Sequence, residues 1–555
     1  MTLLTSVLVA IGALIAVGGA SHLLLHVFQQ EHYEARRLYL WIGQAYAVRL
    51  ALPEAGLVLV AGGAAALAGA AAEAIGVVIA VALVAMTARA ARVIWSREQI
   101  KPLVFTPRAR RLFGLQLAVC ALVLAIVVAI GGGQQWAPAV TGAAGALLLL
   151  LAPWLLGGVV NNMLRPVQQA DNRRFVRRAQ QRLRDVRPLV VGITGSYGKT
   201  TTKACVTAVL DLLGPSYPTP ASFNSTLGVV RAINEGLQPQ HQSFVVEMGA
   251  YRTGDVAELC ELVHPRVGVL TAIGPAHLER FGSLDVTEQA KGELADSLPA
   301  DGGLFVTRAD DERTLRVART RSAARTLLFA PAPHPEADVW AEDVRLQDGR
   351  TIFTVVVRAG AADGERGAAG ASGSAGEQRA EVRARLLGEH NVANLLAAAA
   401  VGVGRGLALT DVARALGRVT PPDHRLAPIV NRAAGVVVID DSYNANPEGA
   451  AAALGVLRDH PATRRVLVTP GMVELGERER EENRRLGELA AGVADVALLI
   501  GPRGEDVAEG MRAAGARAEQ ILHFPDGPAA HAKLAELTRS GDVVLFENDL
   551  PDVYA

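Results

Sequence analysis

Residues 190–203 carry the feature that most constrains the fold of this chain, a β-branched apolar run that enters a glycine-rich turn. The run Val-Val-Gly-Ile-Thr predicts a buried strand, and the turn Gly-Ser-Tyr-Gly delivers Lys199 and Thr200 to a predicted helix. Glycines let backbone N–H groups approach phosphate oxygens, a lysine neutralises β/γ-phosphate charge, and a threonine hydroxyl can hold Mg²⁺. The spacing departs from the general P-loop, which has glycine where Ile193 stands. The segment predicts a nucleoside-triphosphate site that contains Gly195, Ser196, Gly198, Lys199, Thr200 and Thr201.

The start of the chain is far more apolar than the remainder. Half of the 555 residues are apolar, mean hydropathy is +0.25, and the excess lies before residue 162. Apolar runs cover residues 3–27, 55–71, 74–91, 113–131 and 139–160, each close to the roughly 20 residues that span a bilayer as a helix. The first run lacks a charged leader and a small-residue cleavage site, so it predicts a retained helix. We expect about five transmembrane helices in residues 1–162, or four if the runs on either side of Glu73 form one re-entrant element.

Arginine and lysine follow alternate apolar runs. The basic segments are residues 28–52, residues 92–111 and residues 163–187, whereas the connections near Glu73 and at 131–136 hold no basic residue. The positive-inside rule places the basic segments in the cytoplasm and the N-terminus outside. This predicts a multi-pass protein of the inner (cytoplasmic) membrane whose catalytic domains lie in the cytoplasm. Residues 163–187 are interpreted as a juxtamembrane helix, either on the anionic inner leaflet or as a solvated linker.

From residue 188 onward, short β-rich runs alternate with helical patterns, which predicts parallel sheets covered by helices. We expect a central α/β ATP-binding domain at 188–420 and a Rossmann-like α/β C-terminal domain at 421–555, divided near two prolines. The low-complexity residues 359–379 predict a disordered insertion between two strands of a hairpin. A formal net charge of zero gives no reason to expect nucleic acid. Three scattered cysteines support neither disulfides nor a zinc cluster.

Several further short motifs are each weak evidence of function, but their order along the chain is specific. Glu247 ends a buried-type strand, where a carboxylate can reach Mg²⁺. The others are Ala-His-Leu-Glu-Arg-Phe-Gly-Ser at 276–283, Ala-Lys-Gly-Glu at 290–293, His-Asn-Val-Ala-Asn at 390–394, and Asp-Asp-Ser-Tyr-Asn-Ala-Asn at 440–446. With these motifs, residues 189–500 resemble the Mur ligases, ATP-dependent amide-forming enzymes of peptidoglycan precursor synthesis. The last motif and Met-Val-Glu-Leu-Gly at 472–476 are most similar to the member that adds D-alanyl-D-alanine to a UDP-linked muramyl-tripeptide.

The resemblance implies a role for each matched residue. The catalytic residues would be Lys199, Glu247, His277 and Lys291. Two Mg²⁺ ions are implied, one held by Thr200 and Glu247 and one served by His277 and a carbamylated Lys291. ATP would also contact Asn391 and Asn394 on the adenine side and Arg425 and Asp441 from the C-terminal domain. The acceptor and amine would lie near Asn224, Ser442, Tyr443, Asn444 and Asn446.

The implied reaction joins the carboxylate of a muramyl-peptide to an amine or dipeptide. Transfer of the γ-phosphoryl group makes an acyl phosphate, which the amine attacks to give the amide, ADP and phosphate. Positioning and electrostatic stabilisation supply most of the catalysis in such transfers. Closure of the C-terminal domain would bring in the amine and exclude water.

Two departures from the family pattern leave the substrates open. Membrane helices stand where the soluble ligase grips the UDP end of its acceptor, so a lipid-linked or polymeric acid is an alternative acceptor, as in poly-γ-glutamate synthesis. Glu547, Asp549 and Asp552 replace a Lys-Gly-Ser type turn, which suggests a different amine. Two other classes are an ATP-binding membrane transporter or sensor and a catalytically weak scaffold. The scarcity of intramembrane charge argues against a transporter.

Overall fold

The computed structural model describes residues 2–30, 33–44, 72–95, 103–221, 223–275, 278–347, 349–361, 376–442, 445–473 and 475–548. Internal contacts divide the chain into two compact units, one that ends at Arg173 and one that begins at Arg174. The division falls within the helix Asn161–Val186, in the segment that the sequence assigned to a juxtamembrane helix. The predicted apolar run 55–71 and residues 362–375 of the insertion lie outside the described residues.

The first unit is helical in its described part. Its helices are Thr2–Gln30, Ala35–Gln44, Ala72–Trp95, Pro107–Gly131 and Ala137–Trp154, and the last continues through a π-helical turn, Leu155–Val160, into Asn161–Val186. Pro153, which has no N–H to donate, stands just before that turn. Small residues let the helices approach closely, since a Cβ placed on Gly145 would lie 2.4 Å from the Cβ of Ala13.

Three helices in the described part are long and apolar enough to cross a membrane, by length and composition. They are Thr2–Gln30, Pro107–Gly131 and the helical stretch Ala137–Val186. The apolar run 74–91 forms the helix Ala72–Trp95, which is not one of these three. The described residues therefore contain candidates for three of the five predicted spans, and their place in a membrane stays a prediction.

The second unit contains a nine-stranded sheet in the order β2-β3-β1-β4-β5-β6-β7-β8-β9. Its strands are β1 Leu189–Thr194, β2 Ser216–Pro218, β3 Ser243–Glu247, β4 Val267–Leu270, β5 Leu304–Arg308, β6 Arg325–Ala330, β7 Val339–Gln347, β8 Arg350–Val357 and β9 Gln378–Ala384. The strands from β2 to β7 pair in parallel, whereas β7, β8 and β9 are antiparallel. The parallel sheet and the hairpin of β8 with β9 confirm the predicted pattern.

A six-stranded sheet follows in the order β10-β11-β15-β12-β13-β14. Its strands are β10 Ala427–Asn431, β11 Val436–Asp441, β12 Arg464–Thr469, β13 Val496–Ile500, β14 Ile521–Phe524 and β15 Asp542–Glu547. Within the described part of this six-stranded sheet, β10 and β11 pair antiparallel and the other pairs are parallel. The strands β11 and β15 are neighbours, and their register pairs Asp441 with Glu547.

Helices cover both faces of each sheet because alternate strand residues point to opposite sides. Val191 of β1 packs with the helices Lys199–Leu210 and Glu389–Gly404, whereas Val190 packs with helices on the other face. The remaining helices are Thr226–Gly236, Asp255–Val263, Leu278–Phe281, Leu284–Asp296, Glu312–Arg321, Leu409–Leu416, Pro447–Asp459, Glu479–Ala491, Gly501–Ala513 and Gly527–Leu537, with 3-10 turns at Gly476–Arg478 and Ala518–Gln520. This arrangement confirms the predicted α/β class of the described residues from 188 onward, which lie in the second unit.

The helices Glu479–Ala491 and Gly501–Ala513 pack backbone to backbone at Gly487. A Cβ at this position would lie 2.0 Å from the carbonyl oxygen of Val507. We predict that Gly487→Ala lowers the free energy of unfolding by about 1–3 kcal/mol or more, because the helices must separate. The matched control is Gly455→Ala in the helix Pro447–Asp459, where a Cβ meets open space and alanine should stabilise by up to ~1 kcal/mol. Thermal unfolding of the purified chain checks both, and equal melting temperatures would contradict the close-packing argument.

Candidate active site

The glycine-rich turn at residues 195–198, here called the phosphate loop, joins the carboxyl end of β1 to the helix that begins at Lys199. Because β1 lies between β3 and β4, the loop stands at the middle of the sheet edge where parallel α/β folds bind ligands. Gly195 has φ +148° and Gly198 has φ +75°, conformations that favour glycine. A Cβ on Gly195 would lie 1.9 Å from the Thr271 hydroxyl oxygen. Both glycines are therefore required by local geometry.

Two lysines meet at the phosphate loop. The Lys199 and Lys291 ammonium groups donate to the same carbonyl oxygen, that of Gly195, at 2.8 and 3.2 Å. Burial lowers the pKa of Lys199, which Glu247 opposes and Arg425 reinforces. Burial and the charge of Lys199 lower the pKa of Lys291, which is only 2% exposed, well below its usual range. Burial and the charge of Lys199 therefore both favour the neutral form of Lys291 over the ammonium form.

Glu247 is a buried carboxylate at the end of β3, with 2% exposure. It accepts hydrogen bonds from the Thr200 hydroxyl at 3.1 Å and the Asn224 amide at 3.1 Å, and its nearest Lys203 contact is 3.0 Å. Burial raises the pKa of Glu247, but Lys203, Lys199 and the hydrogen bonds outweigh burial and leave the pKa below its usual range. Sequence reasoning did not assign a role to Lys203, which faces Glu247 because it follows Lys199 by one helical turn.

The oxygens of Thr200 and Glu247 form a suitable donor pair for one Mg²⁺. This ion prefers hard oxygen ligands and is commonly held by one or two carboxylates together with substrate phosphates. Among the described residues there is no group of three or more His, Cys, Asp or Glu side chains that could hold a metal. The second predicted set is not assembled here, since His277 lies outside the described residues and Lys291 is an amine.

A cleft of about 490 Å³ opens beside the phosphate loop and is lined from both sheets of the second unit. Twelve of the predicted site residues line it: Ser196, Gly198, Lys199, Thr200, Thr201, Asn224, Glu247, Asn391, Asn394, Arg425, Asp441 and Asn446. Gly195 belongs to the phosphate loop itself, and Lys291 lies against the loop, as its hydrogen bond to the Gly195 carbonyl shows. The predicted residues His277, Tyr443 and Asn444 lie outside the described part of the chain.

Asn391 and Asn394 connect the helix Glu389–Gly404 to the phosphate loop. The Asn394 side chain accepts from the Thr202 hydroxyl at 3.0 Å and donates to Asn391 at 2.9 Å. Asn391 in turn donates to the Leu387 carbonyl at 2.7 Å. A Cβ on Gly198 would lie 2.3 Å from the Asn394 amide oxygen. The two amides thus hold the loop against the helix, and their contact with adenine stays a prediction.

Arg425 reaches the cleft from a strained turn. Its neighbours His424 and Leu426 have φ +59° and +49°, which non-glycine residues adopt at a cost of about 1–3 kcal/mol. The turn is held in part by the Leu426 N–H, which donates to the Asp441 carboxylate at 3.2 Å. The turn therefore brings Arg425 close to Asp441 at the cleft, and contact of the two residues with the nucleotide stays a prediction.

Two of the predicted substrate residues are engaged in local hydrogen bonds. The Ser442 hydroxyl donates to the Asp440 carboxylate at 2.6 Å. The Asn446 side chain accepts from the Gly449 N–H at 2.9 Å and caps the helix Pro447–Asp459. Asn446 lines the cleft, but its amide oxygen already serves the helix terminus.

Glu547 is buried beside Asp441 at the ends of β15 and β11, with 1% exposure. Burial and the Asp441 charge raise the pKa of Glu547 well above its usual range, although Arg425 opposes this. Burial also raises the pKa of Asp441, to about 6. No described N–H or O–H group donates to either Glu547 side-chain oxygen, so burial beside Asp441 favours the protonated form of Glu547. The position of Glu547 makes it the neighbour of Asp441. Its predicted part in amine selection stays a prediction, and Asp549 and Asp552, which share that prediction, lie outside the described residues.

A strand, a glycine-rich loop with two lysines, and a buried carboxylate that faces a threonine hydroxyl define the class of enzymes that bind a nucleoside triphosphate. A family model described as the Mur ligase middle domain matches residues 193–402. A second, described as the Mur ligase, glutamate ligase domain, matches residues 424–547. The chain therefore belongs to the Mur ligase family and is an ATP-dependent ligase. Members of this family use Mg²⁺.

Relatives and solved structures agree on a branch of this family. The chain is 35% identical over 382 residues to UDP-N-acetylmuramoyl-tripeptide–D-alanyl-D-alanine ligase of Mycobacterium tuberculosis, covering 64% of this chain and 70% of the relative. It is 32% identical to the Escherichia coli ligase of the same name, covering 56% and 64%. A crystal structure of MurF from Acinetobacter baumannii is similar with a TM-score of 0.58 at 25% identity, covering 68% and 78%. MurF from Thermotoga maritima in complex with ADP is similar with a TM-score of 0.56 at 28% identity, covering 68% and 80%.

We predict that the Glu547→Gln variant becomes more stable than the wild type as pH rises, because the wild type loses stability and the variant does not. The folded state keeps a proton on Glu547 that the unfolded chain releases above its ordinary pKa near 4.5, so folding takes up a proton. The free energy of unfolding of the wild type therefore falls by about 1.4 kcal/mol for each pH unit between that ordinary pKa and the raised pKa of the folded state. Glutamine imitates the protonated acid and removes this loss. The measurement is the melting temperature of both proteins from pH 4 to pH 8.

The control is Glu519→Gln, whose carboxylate is 71% exposed. We expect the melting temperatures of the wild type and Glu547→Gln to coincide in acid and to diverge towards neutral pH, whereas Glu519→Gln follows the wild type throughout. Parallel curves for Glu547→Gln and the wild type would show that Glu547 is ionised in the folded protein.

Proposed function

We propose that this protein is a membrane-anchored Mur ligase that uses Mg-ATP to join D-alanyl-D-alanine, or a similar amine, to the carboxylate of a muramyl-peptide in peptidoglycan precursor synthesis. The observation that carries the proposal is the meeting of Lys199, Thr200 and Glu247 at the phosphate loop. The two relatives named above, both ligases for D-alanyl-D-alanine, support the amine.

The chain's own residues suggest how the carboxylate is activated. The phosphate loop would hold the triphosphate with its N–H groups, and Lys199 would neutralise the γ-phosphoryl group during transfer. The ion bound at Thr200 and Glu247 would supply charge stabilisation on the phosphate oxygens. Asn224, which donates to Glu247, orients this carboxylate. Arg425 faces the same cleft and would add positive charge from the C-terminal domain.

Lys291 has the environment that carbamylation requires. A neutral amine adds to CO₂ through its lone pair, forming an N–C bond and releasing one proton, and the pKa of Lys291 is lowered by burial and by Lys199. The product is an anion, which would relieve the repulsion between the two lysines and present oxygens to a second Mg²⁺. A carbamylated Lys291 and a second ion beside His277 are therefore part of the proposal.

Membrane anchoring is proposed from the first unit. Large apolar side chains stand exposed along its helices, among them Leu8, Ile15, Leu122 and Ile130, while small residues such as Ala13 and Ala146 fill its interior. Lipid favours this distribution and water opposes it. With basic loops inside, the unit would be a multi-pass anchor of the cytoplasmic membrane, with the ligase domains in the cytoplasm. Such an anchor favours a lipid-linked or polymeric acid as the second candidate acceptor.

The proposed function is tested by mass spectrometry of full-length protein incubated in detergent with Mg-ATP, UDP-N-acetylmuramoyl-tripeptide and D-alanyl-D-alanine. We expect a pentapeptide product together with ADP. Lys199→Ala should reduce ADP formation at least about a hundredfold, whereas Lys533→Ala, a lysine paired with Glu536 on the surface, should match the wild type. Product only with a lipid-linked or polymeric acid would support the second acceptor, and absence of any amide would refute the ligase.

We predict that Lys291→Ala is inactive and that short carboxylic acids such as acetate or propionate partly restore it, because they return the missing carboxylate to the cavity. Turnover is measured as ADP release against acid concentration. Lys199→Ala is the control, since an anion cannot replace its positive charge. Folded Lys291→Ala protein that no acid restores would argue against the carbamate.

A further inference from the structure

The first unit contains a polar cavity of about 310 Å³, here called the arginine pocket. Three arginines, five amide side chains and two leucines line it, and the residues that matter below are Arg108, Arg111, Arg165, Asn161, Gln168 and Asn172. It lies where the helix Pro107–Gly131 begins and where the apolar helical stretch ends at Val160. No residue of the candidate active site lines it.

The positive charge of the arginine pocket is only partly compensated. Arg111 pairs with Asp171 at 2.6 Å, but among the described residues Arg108 and Arg165 form no ion pair with a carboxylate. The Arg108 guanidinium donates to the Asn161 amide oxygen at 3.2 Å and stacks over the ring of Tyr33 at 4.1 Å from its centroid. Arg108 is therefore held in place without being neutralised, which prepares it for an anion.

The other lining groups suit phosphate oxygens. Arginine forks and amide N–H groups donate to oxyanions, and the Gln168 side chain, which donates to Asn172 at 3.0 Å, keeps one further N–H for a ligand. Arg165 is exposed, so its guanidinium can reach an incoming group. A ligand with two or more negative charges in a compact group matches this lining better than a carboxylate or a sugar does.

The surroundings indicate that the anion is carried by a lipid. Large apolar side chains stand exposed on both sides of the arginine pocket, namely Val104, Phe105, Val159 and Met163. In the proposed orientation this end of the helices faces the cytoplasmic leaflet, whose anionic lipids attract basic groups. A headgroup in the pocket would leave its acyl or prenyl chain against these apolar side chains.

We propose that the arginine pocket binds the terminal phosphate or diphosphate headgroup of a lipid. The inference rests on the proposed membrane placement and does not require the ligase reaction. It adds a specific lipid site to the anchor, and it would let the first unit hold a phosphate-bearing lipid, including a lipid-linked acceptor, next to the membrane face.

The test is binding of a short-chain phosphatidic acid and of farnesyl diphosphate to the full-length protein in detergent, measured by native mass spectrometry and by ligand fluorescence. The double variant Arg108→Gln/Arg165→Gln should bind both at least about tenfold more weakly, since it loses the charge-assisted hydrogen bonds of two guanidinium groups to the phosphate. Arg110→Gln/Arg173→Gln removes the same charge from the same two helices outside the pocket and should bind as the wild type does. Arg165→Gln alone should weaken binding as well, which guards against misfolding when Arg108 is removed.

Three outcomes would overturn the proposal. Equal losses in the two double variants would mean that general charge attraction holds the lipid. Inorganic pyrophosphate bound as tightly as farnesyl diphosphate would mean a site for free phosphate compounds. Phosphatidylcholine, whose phosphate is a diester, bound as tightly as phosphatidic acid would mean that a terminal phosphate is not recognised. ATP-dependent amide synthesis is measured on the same preparations, so loss of the ligase function would be seen separately from loss of lipid binding.

Discussion

The buried carboxylate of Glu247 is the interaction on which the active site depends. An isolated anion at such a site is strongly disfavoured, and it is ionised here because Lys203, Thr200 and Asn224 all contact it. These partners come from the phosphate-loop helix and from the loop before Thr226–Gly236, so one charge ties three segments of the chain together. The arrangement also places carboxylate and hydroxyl oxygens where a divalent ion and phosphates would meet.

Basic and acidic side chains both lie at the cleft that Glu247 lines. Lys199 and Lys291 share the Gly195 carbonyl, and Arg425 faces the same space. On the opposite strands, burial raises the pKa values of Asp441 and Glu547, so the pair favours a protonated form more than two exposed acids would. Lys199 and Arg425 face the cleft and suit a triphosphate, and the raised pKa of Glu547 reduces the negative charge beside Arg425.

The two units follow opposite rules of packing. In the second unit, apolar strand residues are enclosed by helices and polar groups face the cleft. In the first unit, small residues such as Gly145 and Ala13 meet inside, and large apolar side chains face outward. The arginine pocket fits the pattern of the first unit. Its charged side chains lie at the end of apolar helices, where a bilayer would end and water would begin.

The strands and helices of the second unit could be predicted from the sequence. The same is true of the phosphate loop, whose chemistry lies in one short segment. The strand, turn and helix around the phosphate loop follow from apolar periodicity and from glycines at positions that need positive φ, and these are local properties. The parallel arrangement and the hairpin of β8 with β9 followed from the same patterns. The positions of Lys199, Thr200 and Glu247 also followed, since residues at the carboxyl ends of parallel strands share one edge of the sheet.

Some contacts between residues that are distant in the chain could not be predicted from the sequence, and only the tertiary structure shows them. Lys203 has no signal beyond its spacing from Lys199, and its ion pair with Glu247 depends on the register of β1 with β3. Glu547 is more than a hundred residues from Asp441, and the Asp441 charge raises the pKa of Glu547 because β15 inserts between β11 and β12. The arginine pocket likewise joins residues about 50 positions apart on two helices. The sequence determines which side chains are present. Only the packed structure decides how deeply each one is buried and which charges lie beside it, and these two properties determine its protonation and the ligands that it can bind.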